Sequence, residues 1–189
     1  MPRFRQAILD PVRKKHHLHR YDIVRSLIHT CGNNILDVGC GAPARCIPPG
    51  SFLRKLGYGK GIDISYQDIE FDFCIGDFQK IPFKDAEFDG VTAIEVIEHI
   101  DEPISALREV HRVLKKDGVF VVTTPNNNFF FTILWWVWER SFGDEWKHAH
   151  VITYKKNDWL KIFNQNNLFR VEKVIDYWRI NLIVKLRKV

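Results

Sequence analysis

Apolar positions along the chain follow two rhythms. Residues 21–30 carry Ile23, Val24, Leu27 and Ile28 at the spacing of one helix face, closed by Cys31 and Gly32. Ile35, Leu36, Asp37 and Val38 form a short run that stops at Gly39-Cys40-Gly41, as a buried parallel strand does when it turns over a sheet edge. A second run, residues 60–64, ends the same way after a stretch containing Phe52, Leu53 and Leu56, so strand, connection and strand outline a βαβ unit. Further strands are predicted at 71–75, 88–94 and 119–124, the last bounded by Gly118 and Pro125. Before that last strand lies an amphipathic helix. Pro103 suits its first turn, Ile104, Leu107, Val110 and Leu114 line one face, Lys115 and Lys116 favour its C-terminal end, and Gly118 stops it. A helix over 157–166 and strands at 168–175 and 182–186 complete the pattern, which predicts an α/β fold on a central, mostly parallel sheet.

Length narrows the picture to one domain, residues 1–189, with no internal repeat or linker. A composition of 46% hydrophobic and 27% charged residues excludes a disordered, collagen-like or solenoid chain. The net charge of +5 is concentrated in residues 13–20 and 185–188, read here as two solvated basic ends. Four cysteines without a C-x-x-C pair suggest neither a zinc site nor a redox dithiol, and reduced thiols suit a cytoplasmic protein. Residues 1–22 contain no apolar core of a secretory signal, and the longest strongly apolar run, residues 129–138, falls short of the roughly 20 residues a bilayer requires.

Ligands of open parallel sheets bind beyond the carboxyl ends of the strands. The first such end is Asp37-Val38-Gly39-Cys40-Gly41-Ala42-Pro43, where two glycines permit a turn and close approach of a ligand to the backbone. Asp63, 22 residues after Gly41, stands at the tip of the next strand and suits a ribose diol, and Asp77 follows Gly76 at the third. This is the outline of a nucleoside site. Gly39-x-Gly41-x-x-Ala44 also satisfies the dinucleotide fingerprint, although Pro43 and Pro48-Pro49 stand where that motif needs a regular helix.

Those segments, taken in order with Gly76-Asp77-Phe78, Phe88-Asp89, Glu95-Val96-Ile97-Glu98-His99-Ile100, Leu107-Arg108-Glu109-Val110 and Leu114 through Gly118, resemble the signature of class I S-adenosylmethionine-dependent methyltransferases. The chain is similar to the small-molecule branch typified by the ubiquinone and menaquinone biosynthesis enzymes. The resemblance implies a Rossmann-like three-layer sandwich with a seven-stranded sheet whose last strands are antiparallel. It also implies an N-terminal helical segment over 1–30, an aromatic lid insertion over 126–150, and S-adenosylmethionine as cofactor. By the same resemblance Gly39 and Gly41 let the methionine part lie against the backbone and Asp37 helps hold its ammonium. Asp63 grips the ribose hydroxyls, Asp77 accepts from the adenine amine and Phe78 lies near the purine, with Ile64 and Glu95 completing the cofactor set. Pro43 departs from the family, which commonly has glycine there.

Methyl transfer is an in-line displacement in which the protein aligns the reactants and removes the acceptor's proton. Glu98, His99 and His150 are the expected catalytic residues, with His99 first because an imidazole titrates near neutral pH. Glu95-x-x-Glu98-His99 with His148-Ala149-His150 ahead of Tyr154 also resembles metal-assisted O-methyltransferases, including small-RNA 2′-O-methyltransferases, so divalent-metal dependence stands as an alternative. The short chain shows no separate RNA-binding module, which disfavours a nucleic-acid partner. Ile94-Glu95-Val96-Ile97 stands where DNA-base and glutamine methyltransferases carry a polar-Pro-Pro-aromatic tetrapeptide. Residues 126–146 hold Phe129, Phe130, Phe131, Trp135, Trp136, Trp138, Phe142 and Trp146. They are expected to form a lid over a small, apolar or lipid-linked acceptor, methylated at oxygen, and to touch a membrane surface with the basic residues 13–20 and 185–188 assisting. A scaffold that binds the cofactor without turnover is the competing reading, motivated by Pro43.

Overall fold

A computed structural model describes residues 2–42, 47–127, 154–164 and 167–189, with side chains from Asp10 onward. Five strands run parallel: β1 (Ile35–Val38), β2 (Lys60–Asp63), β3 (Asp72–Ile75), β4 (Phe88–Ile94) and β5 (Leu114–Pro125). The hairpin of β6 (Phe169–Tyr177) and β7 (Asn181–Lys188) adds antiparallel strands, giving the order β3-β2-β1-β4-β5-β7-β6. Strand order therefore reverses between β1 and β4, the position at which open α/β sheets bind ligands.

Both faces of the sheet are covered, and alternation along the strands shows how. On one face α1 (Pro2–Ile28) and α2 (Ser51–Leu56) bury Tyr21, Val24, Ile28 and Phe52 against Ile35, Val119, Val121 and Ile183. On the other, α3 (Pro103–Val113) and α4 (Lys156–Asn164) bury Leu107, Val110, Trp159 and Phe163 against Leu36, Phe120, Val122 and Val184. A strand buried on both sides reads as the continuous apolar run seen at 119–122, with successive residues facing opposite layers. The expected seven-stranded three-layer sandwich is observed. The lid expected over 126–150 falls, apart from Asn126 and Asn127, outside the described residues.

The helical segment that the resemblance places at 1–30 is α1, with Pro11 inside it, longer than the 21–30 stripe that periodicity alone marks. Two local expectations are corrected. α3 ends at Val113, short of Lys116: Ala86 N and Glu87 N donate to the carbonyls of Arg112 and Val113, and Leu114 already pairs with Phe88. Lys115 then reaches Asp89 at 2.6 Å, while Asp117 takes a left-handed φ of 60° where the ladder shifts register. Of the basic ends, Lys14 and Lys15 are exposed as expected, but the second tract is not a solvated tail. Arg20 is buried, and residues 185–188 lie in β7, where Lys185 and Arg187 pair with Glu172 and Lys188 Nζ donates to the carbonyls of His111 and Leu114. Because β7 runs against β5, those lysines sit at the amino edge of the parallel strands, away from the ligand edge.

Arg112 fastens α3 to the segment that leads from β3 to β4. Its guanidinium donates to Glu109 and Asp85 and to the carbonyls of Ile81 and Phe83, all at 2.7–2.9 Å. Arg112→Ala is expected to lower stability by about 2–3 kcal/mol, and Arg112→Lys to recover less than half of it, since a point charge cannot serve a planar fork of partners. Urea unfolding with an unchanged m-value checks this; a loss below about 0.5 kcal/mol would contradict it.

Candidate functional site

The carboxyl ends of β1, β2 and β4 converge on one turn. Gly39 N and Cys40 N both donate to the carbonyl of Ile62, at 2.8 and 3.1 Å, which bends the chain from β1 over β2. Gly39 has a φ of +71° and a Cβ there would run into Val96, which crosses over it from beyond β4. Gly41 has the same restriction for another reason: a Cβ would sit 2.7 Å from Asp63 Oδ2. These are positions where only a bare backbone fits. Ala42 and residues 47–50 are non-helical among the described residues, and α2 begins only at Ser51, so its N-terminus meets the glycine turn ten residues on, where Gly50 N donates to the carbonyl of Cys40 at 2.7 Å. Pro43 and Ala44 lie outside the described residues.

The predicted acids are where the strand ends place them. Asp63 accepts from Gly41 N at 3.0 Å through Oδ2 and from Ser65 N and Oγ, each at 3.1 Å, through Oδ1. A carboxylate offers about four acceptor sites, so one hydroxyl can still be received, and a second if the Ser65 hydroxyl turns away. Ile64 beside it is 79% exposed, an apolar face with nothing packed on it. Asp77 is exposed and turns the chain by accepting from Gln79 N at 2.8 Å, whereas the Phe78 ring is buried in the core.

Asp37 differs from both. It is buried in a cleft lined also by Tyr21, Gly39, Gly41, Phe52 and Ile94, and it accepts from Thr92 Oγ1 at 2.7 Å. Burial raises its pKa to about 7, against the lowering effect of Thr92, and the charge of Asp63 adds to the rise. Such a carboxyl stands ready to ionise when a cation enters the cleft.

Beyond β4, Glu95 and Glu98 diverge in role. Glu95 holds a φ of 57°, and its oxygens receive Thr123 Oγ1 at 2.7 Å and Asn181 Nδ2 at 2.9 Å, with Arg20 Nη1 at 3.3 Å. Glu98, in a short 3₁₀ turn (Ile97–His99), is buried with Oε2 lacking a hydrogen-bond partner; burial first and then the charge of Glu95 push its pKa well above the carboxylate range. His99 on the same turn is exposed. Among the described residues no three His, Cys, Asp or Glu side chains gather as metal ligands, and His148 and His150 fall outside them.

Sequence reasoning missed Arg20, Tyr21, Thr123 and Asn181 as parts of this site. Arg20 had a signal: it lies on the same helix face as Val24 and Leu27, an unusual place for an arginine unless it meets a buried acid. Thr123 and Thr124 mark the point where an apolar strand turns polar on reaching the ligand edge. Asn181 announces nothing until β7 is seen inserted beside β5.

A glycine turn at the switch point, with acids at three successive strand ends, defines an α/β domain that binds a nucleoside-containing cofactor. Comparison with known proteins makes this specific. Residues 36–122, just under half of the chain, match the methyltransferase domain family, the family whose signature the sequence resembles. It is 36% identical over 103 residues to cycloartenol-C-24-methyltransferase 1 of Oryza sativa subsp. japonica, covering 48% of this chain and 30% of that protein. It is 29% identical over 122 residues to the ubiquinone biosynthesis O-methyltransferase of Neisseria meningitidis serogroup A, covering 57% of this chain and 50% of that protein. The chain spans half or less of the length of these curated relatives. In fold it is similar to magnesium protoporphyrin IX methyltransferase of Synechocystis PCC 6803, solved with bound SAH, at a TM-score of 0.66 and 16% identity over 93% of this chain and 85% of that one.

The buried Asp37 gives a stability test. A carboxyl raised from about 4 to about 7 on folding contributes fully below pH 4, and that contribution is lost as pH rises through 7. Asp37→Asn is therefore expected to leave the ligand-free protein nearly unchanged near pH 4 and to stabilise it at pH 8 by on the order of 2–4 kcal/mol. Urea unfolding at both pH values measures the difference; an equal effect at both would show that Asp37 ionises without hindrance.

Proposed function

We propose that this chain transfers the methyl group of S-adenosylmethionine to an oxygen of a small, apolar or lipid-linked acceptor. The observation that carries the cofactor assignment is the set Asp37, Asp63 and Asp77 around a turn at which only Gly39 and Gly41 fit. When bound, S-adenosylmethionine supplies an electrophilic methyl on a sulfonium. Asp37 would hold the ammonium of its methionine part, ionising as the cation replaces the water that burial has removed. Asp63 would receive the ribose hydroxyls and the exposed Ile64 would cover one face of the purine, with Asp77 accepting from the adenine amine. The Phe78 ring, turned into the core, leaves the purine to these neighbours.

The acceptor side is assigned from the turn beyond β4. Burial disfavours the ionised form of Glu98, which suits it to a hydrogen-bonding role and gives proton removal to the exposed His99. A proton acceptor at this edge supports an oxygen acceptor, whose proton must leave as the new bond forms. Relatives named as O- and C-24-methyltransferases bracket the choice.

Thermal unfolding tests the cofactor assignment. S-adenosylhomocysteine at about 100 times its Kd is expected to stabilise the chain by about 2.7 kcal/mol, and Asp63→Ala to remove most of that gain without lowering ligand-free stability by more than about 1 kcal/mol. Stabilisation by NAD in place of the adenosyl-sulfur ligands would contradict the assignment.

A further inference from the structure

The chain's positive charge and its most exposed tryptophan among the described residues meet at the ligand edge of the sheet. Between Pro2 and Arg20 the sequence holds Arg3, Arg5, Arg13, Lys14, Lys15 and Arg20 against Asp10 alone, an excess equal to the net charge of +5 of the whole chain. Among those whose side chains are described, only Arg20 is buried; Lys14 and Lys15 are exposed. The other basic tract, in β7, lies at the opposite edge and is engaged with Glu172 and backbone carbonyls, so the charge is polarised toward one end of the molecule.

The tip of the β6–β7 hairpin stands beside this helix. Asn181 pairs with Pro125 and Ile180 O receives Asn126 N at 2.9 Å, which fixes the tip at the carboxyl edge of β5. Trp178 and Arg179 occupy its two central positions with φ of 53° and 59°, a pattern for which Asn-Gly is the usual sequence. Two bulky residues held left-handed mark a conformation kept for something other than stability. What it achieves is to hold Trp178 62% exposed, stacked on Tyr177 with ring centroids 5.4 Å apart and 5.1 Å from the ring of His16 in α1. One helical turn before His16, on the same face, Val12 is 60% exposed.

We infer that the exposed residues of α1 around Val12, Lys14 and Lys15 and the Trp178 hairpin tip form a docking surface for an anionic lipid bilayer. Basic residues attract the negative surface, and a tryptophan with an adjacent valine enters the boundary between headgroups and acyl chains. Charge alone would suit any polyanion; the exposed Trp178 and Val12 select lipid over nucleic acid. Asn181 links this surface to the site, since its Oδ1 accepts from His16 Nε2 at 3.2 Å and its Nδ2 donates to Glu95 at 2.9 Å. Docking would therefore turn the cleft toward the bilayer. That consequence rests on the lipid-linked acceptor proposed above, whereas lipid binding itself does not.

Co-sedimentation with vesicles of phosphatidylcholine containing about one third phosphatidylglycerol tests the surface, with pure phosphatidylcholine as reference. Wild type is expected to partition onto the anionic vesicles, and Lys14→Glu with Lys15→Glu to weaken this at least about twentyfold, since each basic residue near such a surface contributes about fivefold. Trp178→Gly is expected to weaken it about tenfold while keeping Tm within about 3 °C of wild type, because glycine relieves the left-handed backbone it inherits. A purely structural Trp178 would lower Tm and leave partitioning unchanged. No partitioning of wild type, or partitioning indifferent to both variants, would overturn the inference. So would binding of a single-stranded RNA oligonucleotide that is lost with the lysine reversals but unaffected by Trp178→Gly. S-adenosylhomocysteine stabilisation measured on the same variants separates failure of this surface from failure of the cofactor assignment.

Discussion

Glu95 is the point on which the ligand edge depends. Its carboxylate draws together Arg20 from α1, Thr123 from β5 and Asn181 from β7, so three elements distant in sequence are bound to one residue at the end of β4. An ion pair of this burial contributes little net energy, yet losing one partner strands a charge at a cost of about 3–5 kcal/mol. Its value lies in placement. With Glu95 held left-handed, Val96 is delivered onto Gly39, and the turn after β1 is closed from above by the turn after β4. The shape of the cleft around Asp37 follows from that contact.

Within the cleft the electrostatics are arranged for a ligand and against the empty protein. A carboxyl whose pKa is raised to about 7 is a strain on the ligand-free fold above neutrality, and a bound ammonium relieves it. Asp63 and Asp77 stand at the strand tips and brace their own turns through Ser65 and Gln79. One acid of the three is thus fully buried while two hold turns, a division that a scaffold without a cofactor would have no reason to keep.

The parallel sheet and the cofactor edge were legible because their signals are local. Apolar runs ending in glycine and acid at 35–41 and 60–63, and the stripe through Leu107 and Val110, each state a strand end or a buried helix face within a few residues. The first half of α1 came from the resemblance and not from the 21–30 stripe, and the end of α3 was misplaced because Lys115 and Lys116 suit a helix terminus as well as they suit a bulge held by Asp89. Long-range partners were hidden for the same reason. Nothing near Glu95 in sequence names Arg20 or Asn181, which are 75 and 86 positions away and meet it only once α1 covers the sheet and β7 inserts beside β5. The basic residues near the C-terminus showed their charge but not the direction of β7, which carries them to the far edge.

The central claim is that three strand ends, and the turn closed by Val96, form one cofactor site. Amide hydrogen exchange with and without S-adenosylhomocysteine addresses it residue by residue. The account expects ligand-induced protection at 39–41, 63–65 and 77–79 together, with the amino edge of the sheet, including 185–188, unaffected. Protection confined to one of those segments, or spread equally over both edges, would contradict it.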